Sequence, residues 1–302
     1  MTEPAAITVY EVGPRDGLQN EAGGFHTSDK VAFINALSTA GLPIVEVGAF
    51  VSPARVPQMA DSDAVCRAIH RRNGTRYAAL VPNLRGLERA LDAGVTDVAV
   101  FAAASETFSR RNINQSIAES LDNYRGVATR AAAAGARVRA YLSTSFGCPF
   151  EGGVPVERVV ELTVALKELG AYEVSVSDTI GIAHPGQVRR VLDALMRTLS
   201  PRDVALHFHD TRGTALANVL AALDFGVTTF DSSAGGLGGC PYAPGATGNL
   251  ATEDLIYMLH GLGHETGVDL DAVADASIAL EALLDHPLPS RFVQARKAAA
   301  RR

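Results

Sequence analysis

Val204-Ala-Leu-His-Phe-His-Asp-Thr-Arg-Gly213 opens as an apolar strand, reaches two histidines two positions apart, and ends in a polar turn at a glycine. Side chains at i and i+2 of a strand leave on one face, so His207 and His209 project together from its carboxyl end. Paired imidazoles at that place suit a divalent metal, provided each ring is held in one tautomer.

Outward from this stretch the same alternation repeats. Strand-like runs fall at residues 7–12, 44–47, 76–81, 97–101, 138–143, 173–177, 204–209 and 228–232. Helical patterns follow them at 28–40 (with Ser28 as N-cap), 61–71, 84–93, 116–134, 156–169, 185–199, 215–225 and 252–262. Alternation with short connections predicts parallel strands. An open doubly wound sheet would carry a glycine phosphate fingerprint after its first strand, but the sequence there is Gly13-Pro-Arg-Asp-Gly17. The expectation is an α/β fold, a (β/α)8 TIM barrel over about residues 7–265 with a C-terminal helical appendage, all in one domain. A last helix is expected near residues 270–284, and the basic end, Arg296 to Arg302, as a solvated, fraying tail.

Composition narrows the function classes. The 302 residues are 47% hydrophobic and 20% charged, as in a soluble globular protein. The net charge of −6 argues against nucleic acid as a partner, and no apolar run is long enough to span a membrane. Cys66, Cys148 and Cys240 are few, odd in number and widely spaced, which suits a reducing compartment. A strand already begins at Ile7, leaving no room for a leader, so a cytoplasmic location is expected.

In such a barrel, chemistry gathers at the carboxyl ends of the strands. Arg15 and Asp16 follow the first strand and Glu46 lies in the second. Asp178 ends the sixth, the histidines end the seventh, and Cys240 and Asn249 lie beyond the eighth. All fall on one rim. Glu46 in Ile-Val-Glu-Val needs a partner for its buried charge, and Arg15 is the natural one. Asp178 is either a catalytic group or a cap for its own loop. Asp210 is read as structural, bonding the backbone of its turn. The segment from Ala234 to Asn249 has six glycines and two prolines, a composition suited to a lid that carries Cys240 to a substrate.

Four stretches resemble the hydroxymethylglutaryl-CoA lyases of the DRE-type TIM-barrel metallolyase superfamily. They are Glu11-Val-Gly-Pro-Arg-Asp-Gly-Leu-Gln-Asn-Glu21; Glu46 with Phe50-Val-Ser-Pro53; His207-Phe-His-Asp-Thr211; and Gly236-Leu-Gly-Gly-Cys-Pro-Tyr242 with Gly248-Asn249. The resemblance runs over almost the whole chain and implies Mg2+ or Mn2+ held by Asp16, His207, His209 and Asn249, with an acyl-CoA as substrate. It implies cleavage of 3-hydroxy-3-methylglutaryl-CoA to acetoacetate and acetyl-CoA. Asp16, His207 and Asp178 are the candidate bases; Arg15, set by Glu46, would steady the enolate, and Cys240 would protonate it. A homodimer or higher homo-oligomer is a further expectation.

The chain departs from the family pattern at Ala22, where lysine is frequent, at Ala49, where a hydroxyl residue is usual, and at Arg212, where tyrosine is common. None of these touches a metal ligand, but they change the charge near the pocket. Arg212 is therefore expected to face the substrate's phosphate or carboxylate. The alternatives are the same cleavage on a larger branched substrate such as an isohexenylglutaryl-CoA, the reverse condensation, and a metal-binding scaffold without catalysis.

Overall fold

Parallel strands roofed by helices are covered on both faces, so their sequences read as near-continuous apolar runs. The computed structural model describes residues 6–21, 24–239 and 248–301. Its strands are β1 (Thr8–Glu11), β2 (Ile44–Ala49), β3 (Arg76–Leu80), β4 (Asp97–Ala103), β5 (Arg137–Ser143), β6 (Val174–Asp178), β7 (Val204–Phe208) and β8 (Thr229–Ser232). All pairings are parallel, and the strands close in chain order, β1 against β8, into the barrel that the alternation predicts.

The helices that cover the barrel are α1 (Thr27–Thr39), α2 (Ser62–Ala68), α3 (Leu84–Asp92), α4 (Glu106–Ile113), α5 (Ile117–Ala133), α6 (Val156–Glu168), α7 (Pro185–Leu195), α8 (Ala215–Leu223) and α9 (Thr252–Gly261). After them come α10 (Leu270–Glu281) and α11 (Arg291–Ala300). Helix α5 begins with a capping box. Ser116 Oγ accepts from Glu119 N at 3.1 Å while Glu119 accepts from Ser116 N at 2.7 Å. Helix α1 differs from expectation. Its N-cap is His26, whose N–H is bonded by Asp29 at 2.9 Å, and Ser28 lies inside the first turn.

The basic tail is a correction. Residues 291–300 form a helix because Asp254 on α9 accepts from Ser290 Oγ and from the backbone N–H groups of Arg291 and Phe292. Arg296 then pairs with Asp275 at 2.9 Å, and Lys297 with Glu281.

Two features of the barrel bear on the site. The β2–β3 register slips between Glu46 and Gly48, placing a bulge at the top of β2. Gly48 tolerates no side chain, since a Cβ there would stand 2.7 Å from Ser62 Oγ, which bonds both the N–H and the carbonyl of Ala49. Inside the barrel, one layer is charged where branched apolar side chains are usual. Arg139, 1% exposed, donates to Glu173 at 2.8 Å and to Asp231 at 2.6 Å. The Arg139 guanidinium also lies over the ring of Tyr10, 4.0 Å from its centroid.

Candidate active site

The turn after β1 is one wound too wide for an α-helix. The N–H groups of Arg15, Asp16 and Gly17 all point to the carbonyl of Val12, at 3.1, 2.7 and 3.3 Å, which makes residues Gly13–Gly17 a π-turn. The Glu11 carboxylate fixes its start, accepting from Gly13 N at 2.7 Å, Ala234 N at 2.9 Å and Thr252 Oγ1 at 2.6 Å. One buried side chain thus ties the β1 turn to the segment after β8.

The turn delivers two adjacent charges. Arg15 Nε donates to Glu46 Oε2 at 2.7 Å, the pairing expected from the sequence, and its Nη1 donates to Asp16 Oδ1 at 2.6 Å. Tyr141 Oη donates to the same Glu46 oxygen at 3.0 Å. Burial pushes the Glu46 carboxyl up, opposed by the Arg15 charge. Burial also works against ionised Asp16, but Arg15 and the two histidines outweigh it and hold its carboxyl at about 2.

His207 and His209 leave the top of β7 with ring centroids 5.1 Å apart. One donor atom each from Asp16, His207 and His209 lie within 4.8 Å of one another, so the three could hold a metal ion. Burial and the neighbouring His207 push His209 down to about 4, leaving the neutral ring that a metal requires. Asn249 arrives from forty positions away because residues 248–250 bond along the end of β7. Asp210 N donates to Gly248 O at 2.9 Å, Leu250 N to Phe208 O at 3.0 Å, and His209 faces Asn249 in an antiparallel bridge.

Whether these residues fit a metal is decided by their spare atoms. Asn249 Nδ2 donates to Asp16 Oδ2 and to Leu237 O, both at 2.9 Å, which fixes the amide's orientation. Its Oδ1 and the Nδ1 of His209 are buried and make no hydrogen bond among the described residues. Unsatisfied buried polar atoms are rare, and two beside an ionised carboxylate are what a cation would complete. The set fits.

These residues floor a cavity of about 640 Å3. Arg15, Asp16, His207 and His209 form its polar base, Leu80, Phe101 and Phe108 an apolar flank, and Arg55 and Asn112 are also in its wall. Glu46 and Asn249 stand directly behind the wall, each hydrogen-bonded to a wall residue. Asp178 is placed differently. Its oxygens accept from Ile182 N at 3.0 Å and Ala183 N at 2.9 Å, and the wall near it is Ser177 and Thr179. Burial raises its carboxyl to about 6 against those two bonds. Asp178 thus caps the loop after β6. Arg212, expected to face the substrate, is exposed and is not part of the cavity wall; its Nη1 donates to the carbonyls of Ile180 and Gly181 in the loop after β6. Asp210 caps α8 through Ala215 N at 3.0 Å, as its turn predicts.

Cys240 lies outside the described residues. Gly239 before it is part of the cavity wall, and its carbonyl accepts from Asn20 Nδ2 at 3.0 Å. Tyr141 is one of the wall residues that sequence reading missed. Its signal was present: Arg137, Arg139, Tyr141 and Ser143 alternate along β5, putting four polar groups on one face of the strand and Val138, Ala140 and Leu142 on the other.

The HMGL-like family model matches residues 6–279. A hydroxymethylglutaryl-CoA lyase of Bacillus subtilis is 51% identical over 97% of this chain and 98% of its own length. A Pseudomonas aeruginosa protein named 3-hydroxy-3-isohexenylglutaryl-CoA/hydroxy-methylglutaryl-CoA lyase is 50% identical over 98% of each chain. The solved HMG-CoA lyase of Acinetobacter baumannii, in complex with coenzyme A and 3-methylmalate, superposes with a TM-score of 0.92 at 40% identity, covering 96% of this chain and 95% of that one.

Proposed function

The chain belongs to the HMGL-like family, and from that premise and the cavity floor we propose that it cleaves 3-hydroxy-3-methylglutaryl-CoA into acetoacetate and acetyl-CoA. The protein is a carbon–carbon lyase. Hydroxymethylglutaryl-CoA is named for all three relatives and the isohexenyl chain for one, so the smaller acyl group is taken as the substrate. The observation that carries the reading is the placing of Asp16, His207 and His209 beside Arg15 at the base of one cavity.

Asp16, His207, His209 and Asn249 Oδ1 would hold Mg2+ or Mn2+. When bound, such an ion acidifies an alcohol and polarises a carbonyl. The chain's own groups do the rest. The proton of the substrate's tertiary hydroxyl passes to Asp16, whose carboxylate is part of the cavity wall. The O–H electron pair becomes the new ketone of acetoacetate. The bond from the carbinol carbon to the thioester's α-carbon breaks, and its electron pair forms the enolate of acetyl-CoA.

Arg15 steadies that enolate. With Nε on Glu46 and one Nη1 N–H on Asp16, the two N–H groups of Nη2 and the second of Nη1 are left to act as donors to it. Glu46 positions the guanidinium and does not touch substrate. The Cys240 thiol then protonates the enolate carbon. Free, buried Cys66 and Cys148 are in keeping with a reducing, cytoplasmic setting, and a homodimer or larger assembly belongs to the same proposal. Among the described residues, no helix is long and apolar enough to cross a membrane.

The test is acetyl-CoA release from hydroxymethylglutaryl-CoA with Mg2+ and with excess chelator. Turnover on the order of 1–10³ s⁻¹ that the chelator abolishes is expected. No release from folded, metal-supplied protein would overturn the assignment.

A further inference from the structure

The charged layer inside the barrel ends against a metal ligand. Strands β7 and β8 pair with His207 directly opposite Asp231, so the two side chains share a level of the barrel. His207 Nδ1 stands 3.3 Å from Asp231 Oδ2, in ion-pair range but off the line of a hydrogen bond. The carboxylate has no freedom to move away. Oδ1 accepts from Arg139 Nη2 at 2.6 Å, and Oδ2 from Ser175 Oγ at 2.7 Å. Arg139 is held in turn by Glu173 and lies between Tyr10 and Tyr141, with ring centroids at 4.0 and 5.0 Å. Tyr141 closes the other side of His207 edge-on, 6.4 Å between centroids.

We propose that Asp231, clamped by Arg139 and Ser175, is the positioning residue that keeps His207 as its Nδ1–H tautomer and so presents Nε2 to the metal. The reason is general. A ligating imidazole has a proton on its other nitrogen, and a fixed acceptor there sets both tautomer and ring angle. Asp231 is the only carboxylate on the His207 Nδ1 side among the ion pairs of the described residues. Arg139 contributes by holding that carboxylate in place, with Nη2 donating to Oδ1 at 2.6 Å and Nη1 to Oδ2 at 3.3 Å. The slight misalignment is closed by a small ring rotation, as catalytic hydrogen bonds often are when the site fills.

This rests on the metal-lyase reading, and the experiments separate the two. Mn2+ affinity of the wild-type chain, by electron paramagnetic resonance, tests the metal. The 15N shifts of His207 in metal-free protein at neutral pH test Asp231, whatever Mn2+ does. Protonated Nδ1 is expected; protonated Nε2 overturns the proposal. Asp231→Asn is expected to weaken Mn2+ binding roughly 10–100-fold. Because it leaves Arg139 short of a partner, the triple variant Arg139→Met, Asp231→Asn, Glu173→Gln is measured too, which removes the three buried charges together. The same loss of affinity is expected there. Mn2+ affinity within about twofold of wild type in either folded variant would overturn the proposal, since a purely structural charge layer would move the melting point and leave the affinity alone.

Discussion

At the scale of single residues, the site depends on side chains that hold other side chains. Glu46 has one oxygen bonded by Arg15 and Tyr141, while its Oε1 is buried without a partner among the described residues. Removing the Tyr141 hydroxyl therefore loosens Glu46, and through it the Arg15 guanidinium that is proposed to steady the enolate. A hydrogen bond to a charged group is worth about 1.5–3 kcal/mol. Tyr141→Phe is expected to lower kcat roughly tenfold or more with KM little changed, read by steady-state kinetics alongside a melting curve. Unchanged kcat would mean that Arg15 and Glu46 hold each other without help.

Among elements, the root of the glycine-rich segment after β8 is held by two buried carboxylates. Glu11 accepts from Ala234 N, and Glu253 on α9 accepts from Gly235 N at 3.0 Å and from Ser277 Oγ. Gly235 is left-handed, with φ 71°, so the chain there needs both a glycine and an acceptor. Burial pushes Glu253 from 4.5 up to about 7 against those bonds. Its folded-state value lies above its unfolded one, so its stabilising effect is present below about pH 4.5 and lost as pH rises through about 7. Glutamine keeps an acceptor for Gly235 and a donor for Ser277 but does not titrate. Between about pH 5 and about pH 8, wild type should lose on the order of 2–3 kcal/mol more than Glu253→Gln. Urea unfolding of both proteins at the two pH values decides it; parallel losses would show that Glu253 stays ionised throughout.

For the molecule as a whole, a metal bound by the native fold and not by the unfolded chain adds stability by mass action. Mn2+ at a hundred times its dissociation constant contributes about 2.7 kcal/mol, enough to raise the melting temperature by several degrees in calorimetry. An unmoved melting point at that concentration would take the metal out of the account. The barrel was legible because strand and helix alternate with local signals, and the rim because its chemistry sits just past each strand. What stayed hidden depends on contacts far along the chain. Helix α11 starts where Asp254 reaches it, and helix α4 is a polar run, Glu106 to Ile113, whose start is set by Ser105 accepting from Phe108 N at 3.1 Å. Arg139 drew no notice in the sequence as a charged residue of β5. It is internal because its acceptors, Glu173 and Asp231, lie 34 and 92 positions away. The bonds of Asp178 and Arg212 were hidden for a related reason, since the loop amides and carbonyls they bind take their places only once the barrel has closed.

The two ends of the segment that contains Cys240 meet: Asn249 N donates to Gly238 O at 3.1 Å, and Asn249 Nδ2 to Leu237 O. Gly238 and Asn249, eleven positions apart in the chain, are thereby clasped together on the barrel rim. That arrangement is a socket. It seats Asn249 beside the histidines from two sides at once, by its own backbone and by its side-chain amide.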